Sequence, residues 1–321
     1  MCKSAQKENQ TMTRHEELIK KHPVRRSEAQ KAAFREYVLE TAKERGVDAR
    51  VEKSSDGKNQ NVIIGNVEHA DVVLTAHYDT PAASPFPNIM IPRNIPLFFA
   101  YQMVPVLFML IVGFAAGFVA QTAVGGEDLR VFAIAFLIVY YALFFIMFRG
   151  FSNKNNYNDN TSGVATVLTV LDRVGANNRE KVAFILFDNE EKGKKGAKAY
   201  FKDHKNFMSD KLLINFDCVG DGNEVVFIAM KNAEEKSGYR VLSACFEESN
   251  GYTPHFYPIK GSESNSDYKV FPCGVGCMVC RRTKKGLLYT SRIHTARDTV
   301  TNNENIGYLS DGIIKFIDEI A

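Results

Sequence analysis

Apolar positions along this chain follow two patterns. Short apolar runs bounded by polar residues or glycine occur at 61–65, 72–77, 182–187, 212–216, 225–230 and 274–280, and each reads as a buried strand. Between them, apolar residues recur at three- and four-residue spacing. That spacing predicts helices over about 27–45, 162–174, a segment ending at 200, a segment near 233–249 and 303–320. In the first of these, Ala33, Phe34, Tyr37, Val38 and Ala42 share one face and Gly46 stops the helix. Strands that are apolar on both faces and alternate with helices predict an α/β fold. The expected form is a three-layer α/β/α arrangement about a mixed, mostly parallel central sheet. Ligands of such sheets bind beyond the carboxyl ends of the strands. No internal repeat is present, and residues 1–23 read as a loose polar tail.

One region obeys neither pattern. No charged residue occurs from 94 to 126, and none from 131 to 148. A helix that crosses a bilayer needs about 20 apolar residues, within a range of about 17–25. Both runs qualify, the second near the lower limit. Two buried core helices are disfavoured, because core helices rarely stay uncharged on every face for so long. Pro105 is tolerated in a membrane helix, and Gly125-Gly126 supplies a turn between the runs. Residues 94–148 are therefore expected to form an inserted transmembrane hairpin, with helices at about 96–120 and 131–148. The remainder, 24–93 and 149–321, is expected to form one domain. Arg93, Arg149 and Lys154 flank its domain side, whereas Arg130 in the far loop is offset by Glu127 and Asp128. Positive flanks favour the cytoplasm. Gly113, Ala115, Ala116 and Gly117 suit helix packing, either within the hairpin or against a second copy, which leaves a homo-oligomer open.

Composition sharpens this picture. The 321 residues include 45% hydrophobic and 24% charged positions, which excludes disordered, collagen-like and disulfide-scaffold classes. The 40 Lys and Arg against 37 Asp and Glu give a net charge of +3, no general case for nucleic-acid binding. All but three of these charges lie outside residues 94–148. The N-terminus has no apolar h-region, so no signal peptide is expected. The six Cys residues (2, 218, 245, 273, 277, 280) read as reduced thiols of a cytosolic domain.

Five short stretches put His, Asp or Glu at strand ends or in adjoining loops: His77-Tyr78-Asp79, Asn158-Asp159-Asn160, Asp188-Asn189-Glu190-Glu191, Asn215-Phe216-Asp217 and His294-Thr295. A charge at the end of a buried strand is costly unless it is paired or metal-bound. Singly, Asp159 reads as a helix cap, Glu191 as a first-turn acid and His77 as a core histidine. Five stretches converging on one sheet edge point instead to a site for Zn²⁺ or a related divalent transition metal.

The same residues carry a resemblance. HYDTP (77–81), NDNTSGVA (158–165), FDNEEKGKKGAKAY (187–200), NFDCVG (215–220), SDY (266–268) and IHTARDT (293–299) occur in the order seen in the M28 family of zinc-dependent aminopeptidases. The likeness spans roughly 61–310 apart from the insert. It implies two Zn²⁺ ions, with His77 and Asp217 completing one site, Glu191 and His294 the other, and Asp159 bridging both. Glu190 would be the general base and Asp79 would orient His77 through its other ring nitrogen. The implied chemistry is coherent: paired metals polarise a peptide carbonyl and make the attacking water more acidic, and Glu190 moves its proton to the leaving amine. Asp267 matches a family position near the substrate, and Asp298 reads as a structural acid. One departure stands out. His77 and Asp159 are separated by the insert, where soluble relatives have a short loop.

Three other readings compete. A glutaminyl-cyclase-like enzyme shares much of this ligand set but uses one zinc and Trp-lined pockets, and this chain has no Trp. Cys273, Cys277 and Cys280 have the spacing of an iron–sulfur motif but lie in an apolar strand, where successive residues face opposite ways. An inactive peptidase-like membrane binding module would have lost ligands, and here every ligand position and the base are filled. The expected protein is a membrane-anchored dinuclear zinc aminopeptidase with a cytoplasmic catalytic domain. Its partners are a peptide substrate and the lipid bilayer. Because the hairpin leaves just after the His77 strand end, the active site is expected to face the membrane and to take hydrophobic peptides.

Overall fold

The structure is a computed structural model and describes residues 12–126, 128–300 and 302–320. Glu127 of the far loop and Cys2 lie outside the described residues. Helices α1 (Arg14–Lys21) and α2 (Glu28–Glu44) precede strands β1 (Ala49–Lys53), β2 (Gln60–Ile64) and β3 (Val72–His77). The insert follows as α3 (Ile95–Val124) and α4 (Leu129–Arg149). Then come α5 (Gly163–Arg173), β4 (Val182–Phe187), α6 (Lys195–Asp203), α7 (Lys205–Met208), β5 (Leu212–Phe216) and β6 (Glu224–Ala229). The chain closes with α8 (Lys231–Glu234), α9 (Ser237–Ala244), β7 (Thr253–Pro258), β8 (Gly274–Arg282), β9 (Leu288–Tyr289) and α10 (Asn303–Glu319).

The strands form one sheet in the order β1-β2-β4-β3-β5-β8-β6-β7, with β9 on the end of β8. Parallel pairing holds the centre, β4-β3-β5-β8, and recurs at β6-β7. The β1-β2, β2-β4, β6-β8 and β8-β9 pairs are antiparallel. Four of the seven neighbouring pairs along the sheet are parallel, as the expected mixed, mostly parallel sheet requires, and the two-residue β9 adds an antiparallel pair off that path. Short connections such as those after β1 and β8 close antiparallel pairs, whereas parallel pairs need long crossovers.

Alternation across the pleat builds two cores. Val72, Leu74 and Ala76 of β3, Val182, Phe184 and Leu186 of β4, and Ile214 of β5 face the layer of α2, α5 and α10. Val73, Ala183, Ile185 and Leu213 face the opposite layer, with Ala197 and Tyr200 of α6 and Met208 of α7. The same alternation separates the cysteines. Cys273 and Cys277 face the first layer and Cys280 the second, so one cluster cannot take all three.

Some elements were not anticipated. Within the supposed loose tail, α1 forms on a capping box between Thr13 and Glu16, and it buries His15 and Leu18. Strand β1 is charged and lies at one sheet edge, and β7, bounded by two prolines, is half-buried at the other. Neither carries the apolar run that marked the central strands. The helix expected near 233–249 is two short ones, α8 and α9.

The insert is an antiparallel helical pair whose ends return to one place. Ala82 and Ser152 form a β-bridge, and the Ala83 amide donates to the Phe151 carbonyl at 2.8 Å. Both helices are long and apolar enough to be candidate membrane spans, and their most apolar windows are only 17% and 0% buried within the structure. A core helix would be covered. Gly113 and Gly117 let Phe136 and Phe132 pack at the positions their Cβ atoms would occupy, so these small residues are used inside the hairpin. At about 1.5 Å per residue, α4 roughly matches a hydrocarbon core of about 30 Å, and the 30-residue α3 exceeds it. Its first turns stay against the domain, where Phe98 is buried.

Phe227, fully buried in β6, stacks on Phe256 at 4.6 Å. Phe227→Ala is expected to cost about 3–5 kcal/mol of stability, from lost burial plus an uncollapsed cavity. Urea unfolding in mild detergent would read it as a lowered midpoint.

Candidate metal centre

Three adjacent parallel strands end side by side. His77 pairs in register with Phe187 of β4, and Thr75 with Asn215 of β5. His77, the turn that starts at Asp188 and Asp217 therefore emerge at one edge. Behind that edge, Asn160 joins the elements. Its amide donates to the Phe216 carbonyl at 3.0 Å, and its side-chain oxygen accepts the Gly163 amide at 3.1 Å and the Cys218 amide at 3.3 Å. Any Cβ on Gly163 would meet Asn160 and the Phe216 carbonyl at 2.3 Å, which explains glycine there.

The structure brings all seven expected site residues together. Nε2 of His77 faces Asp159 Oδ1 at 3.4 Å and Asp217 Oδ1 at 3.8 Å. Nε2 of His294 faces Asp159 Oδ2 at 3.0 Å and Glu191 Oε2 at 3.4 Å. The two oxygens of Asp159 thus point to different imidazoles. Donor atoms of His77, Asp159 and Asp217 lie within 4.8 Å of one another, as do those of Asp159, Glu191 and His294, and of His77, Glu190 and Glu191. His294 adopts a left-handed backbone, φ 62°, as does Asn189 ahead of the Glu pair, φ 55°. Such conformations are uncommon for non-glycine residues and cluster at functional sites.

Asp79 does more than the sequence suggested. Nδ1 of His77 lies 3.2 Å from the Asp79 backbone carbonyl and 3.5 Å from its carboxylate. A carbonyl only accepts, so Nδ1 carries a hydrogen and Nε2 is the atom turned toward Asp159 and Asp217. The Asp79 carboxylate also accepts the amides of Glu190 at 2.9 Å and Glu191 at 3.2 Å. One side chain therefore fixes both the imidazole and the turn that carries the Glu pair. Lys31 grips the same turn from behind, donating to Asp188 at 2.6 Å and Asn189 at 2.7 Å. Asp298 accepts the Asn158 amide at 2.9 Å and the Asp159 amide at 3.0 Å, so it sets Asp159 in place between the two imidazoles. Arg25, fully buried, is spent on the Tyr78 and His22 carbonyls and the Thr161 hydroxyl. Lys31 and Arg25 carried no sequence signal, because a charged side chain on a polar stretch reads as surface, and Asn160 was marked only as a neighbour of Asp159 within its motif.

The electrostatics test whether a metal fits. Asp79, Asp159, Asp217, Glu190, Glu191 and Asp267 surround two imidazoles; Asp79, Asp159, Asp267 and His77 are buried, while Glu190, Glu191, Asp217 and His294 are partly exposed. Burial pushes Glu190 well above the ordinary carboxyl range, with Asp267, Glu191 and Asp217 adding to it. Burial likewise raises Glu191 to about 8 and Asp267 to about 7. Burial opposes charge on the imidazoles too, yet the carboxylates outweigh it: His77 is held well above its ordinary value and His294 at about 9. Glu191 Oε1 and both Asp267 oxygens are buried without a hydrogen-bond partner. This is a donor set with surplus negative charge and free lone pairs, which divalent cations fit.

The sequence model of peptidase family M28 matches residues 151–317. The chain belongs to peptidase family M28. As such it is a zinc metallopeptidase. The match begins just past the hairpin and takes in Asp159, Glu190, Glu191, Asp217 and His294, while His77 and Asp79 precede the insert. Among solved structures, this M28 peptidase resembles a glutaminyl cyclase of Bacteroides thetaiotaomicron bound to N-acetylhistamine, with TM-score 0.56 and 13% identity over 96% of this chain and 97% of that one. It resembles the LapA aminopeptidase of Legionella pneumophila with TM-score 0.54 and 12% identity over 96% and 69%. A leucine aminopeptidase precursor of Bacteroides thetaiotaomicron gives TM-score 0.53 and 12% identity over 96% and 95%. These likenesses establish the three-layer α/β fold. No curated protein matches the chain.

Two outcomes are expected. Asp79→Ala should weaken zinc binding about 10–100-fold, as loss of an outer support does, with competition against a chelator as the measurement. Without metal, Glu191, Asp267, Asp298 at about 7 and His294 all hold more protons folded than unfolded between pH 7 and 9. Stability of the metal-free protein should therefore fall as pH rises through that window. His15 and His22, lowered by burial from 6.5, act below it. Thermal melts should show a falling Tm without zinc and a flatter profile with it; a rising metal-free Tm would contradict the assignment.

Proposed function

We propose that this M28 peptidase is a membrane-anchored aminopeptidase that works with two zinc ions and removes N-terminal residues from peptides. The observation that carries the reading is Asp159, whose two carboxylate oxygens face His77 and His294 separately at 3.4 and 3.0 Å. His77 and Asp217 would hold one ion, Glu191 and His294 the other, with Asp159 shared between them. Other divalent transition metals suit the same donors. Bound zinc would polarise the scissile carbonyl and lower the pKa of the attacking water.

The rest falls to the chain. Glu190 lines the catalytic cavity of about 300 Å³ beside His77, Asp159 and Asp217. Among the described residues nothing hydrogen-bonds its carboxylate, so it is available to take the proton of the water and deliver it to the leaving amine. Asp79 keeps both Glu190 and His77 in position through the amide and imidazole contacts given above. The two exposed apolar helices support anchoring in a bilayer, and Arg93 with Lys154 on the domain side favours a cytoplasmic domain.

A single-zinc cyclase would share this fold, so metal count and substrate separate the two. Two zinc ions per chain and release of N-terminal residues from free-amine peptides, with amine-blocked peptides untouched, are expected. One ion per chain with cyclisation of N-terminal Gln would replace this reading. Glu190→Gln should lower kcat by about 10²–10⁴, the usual worth of a general base, with zinc content kept.

A further inference from the structure

A second cavity, about 560 Å³, lies against the first. Asn88, Gln102, Glu191 and His294 line both, so the two meet at the Glu191–His294 edge of the metal centre. The outer wall of the second cavity is the hairpin itself: Pro105, Val106 and Met109 of α3 face Tyr140, Phe144 and Met147 of α4. That wall is held to the domain. Gln102 donates to Asn88 at 3.1 Å, and the Phe108 ring meets Phe86 at 5.1 Å. The domain side of the cavity carries Arg26, Lys192 and Lys195. The acids that reach it are Asp79, occupied by the Glu190 and Glu191 amides, and Glu191 at the metal end. The space is therefore apolar on the hairpin side and cationic on the other.

We propose that this cavity binds the part of the peptide that follows the scissile bond, and that it selects apolar segments without basic residues. The proposal rests on the aminopeptidase reading of the metal centre. The smaller cavity takes the residue to be removed. The larger one begins at the same metal edge, where the leaving amine emerges, and its size lies within the range of about 300–1,000 Å³ typical of ligand sites. Apolar side chains seated against Val106, Met109 and Tyr140 leave water, which favours them over polar ones. Arg26, Lys192 and Lys195 favour a neutral or acidic segment, including one ending in a free carboxylate, and repel lysine and arginine. The hairpin is then part of the substrate site as well as an anchor.

The chain contains no Trp, so Tyr140→Trp in a Glu190→Gln background places a single emitter in the cavity without turnover. In lipid nanodiscs, Leu-Leu-Phe should shift its emission to the blue and saturate at a Kd about tenfold below that of Leu-Ser-Gln, the order expected for burying apolar side chains. Leu-Lys-Lys should bind more weakly than either, and leucinamide, which has no following residue, should leave the emission unchanged. On the unsubstituted enzyme the same order should appear in kcat/KM, with Leu-Leu-Phe about tenfold ahead of Leu-Ser-Gln. Equal Kd values for the three peptides, or a shift given by oleate and not by peptides, would overturn the proposal, the second by assigning the cavity to lipid. Binding that follows this order, together with an unsubstituted enzyme loaded with zinc that hydrolyses none of the peptides, would uphold the cavity's role and refute the peptidase reading instead.

Discussion

Carboxyl groups gathered at one partly buried sheet edge repel one another, and the fold around this centre is organised by that constraint. Left alone, Glu190, Glu191 and Asp267 would keep their protons, since burial raises each of them. Positive charge has to be supplied nearby. Part of it comes from the chain, as Lys31 on Asp188 and as Arg25 behind Asp79 and Asp159. Neither reaches into the centre itself, where the lone pairs of Glu191 and Asp267 remain unpartnered. Imidazole and carboxylate donors of this kind suit zinc, which is why a metallopeptidase family and this donor set agree.

Holding like charges together also demands rigidity, and the rigidity is distributed. The parallel β4-β3-β5 register brings three strand ends level. Asn160, Asp298 and Asp79 then convert backbone amides and carbonyls into fixed supports for the shared carboxylate and the Glu turn. None of these three needs to touch substrate. Each fixes a neighbour to within the tolerance that metal ligation and proton transfer require.

Much of this was legible in the residues. The strands at 72–77, 182–187 and 212–216 appear with the expected bounds because buried parallel strands are apolar throughout, the strongest signal a strand gives. The seven residues that meet at this edge were singled out because charge at or near the end of such a strand has few cheap explanations, and the family resemblance picked out the same positions. The edge strands β1 and β7 were not, since an edge needs only half an apolar pattern. Helix α1 was missed although its capping box is written in the sequence, because residues 1–23 are polar enough to read as a loose tail. The supports were hidden for a different reason. Asn160 was read only as part of a motif and Lys31 was not singled out, and only three-dimensional packing reveals that each is buried and bonded to a distant segment.

The insert shows how far such a scaffold tolerates interruption. Loop-closure entropy grows slowly with length, and the bridge between Ala82 and Ser152 pins the two ends together, so the 81 residues between His77 and Asp159 need not loosen the centre. What the interruption changes is the wall of the site. A short loop would leave the metal edge open to water, whereas α3 is longer than a bilayer core requires and lays Phe98 and Gln102 against the catalytic cavity. A segment needed only as an anchor has no reason to exceed the membrane thickness or to fill space beside the ligands. The extra turns of α3 make sense if the same helix must reach both the lipid and the chemistry.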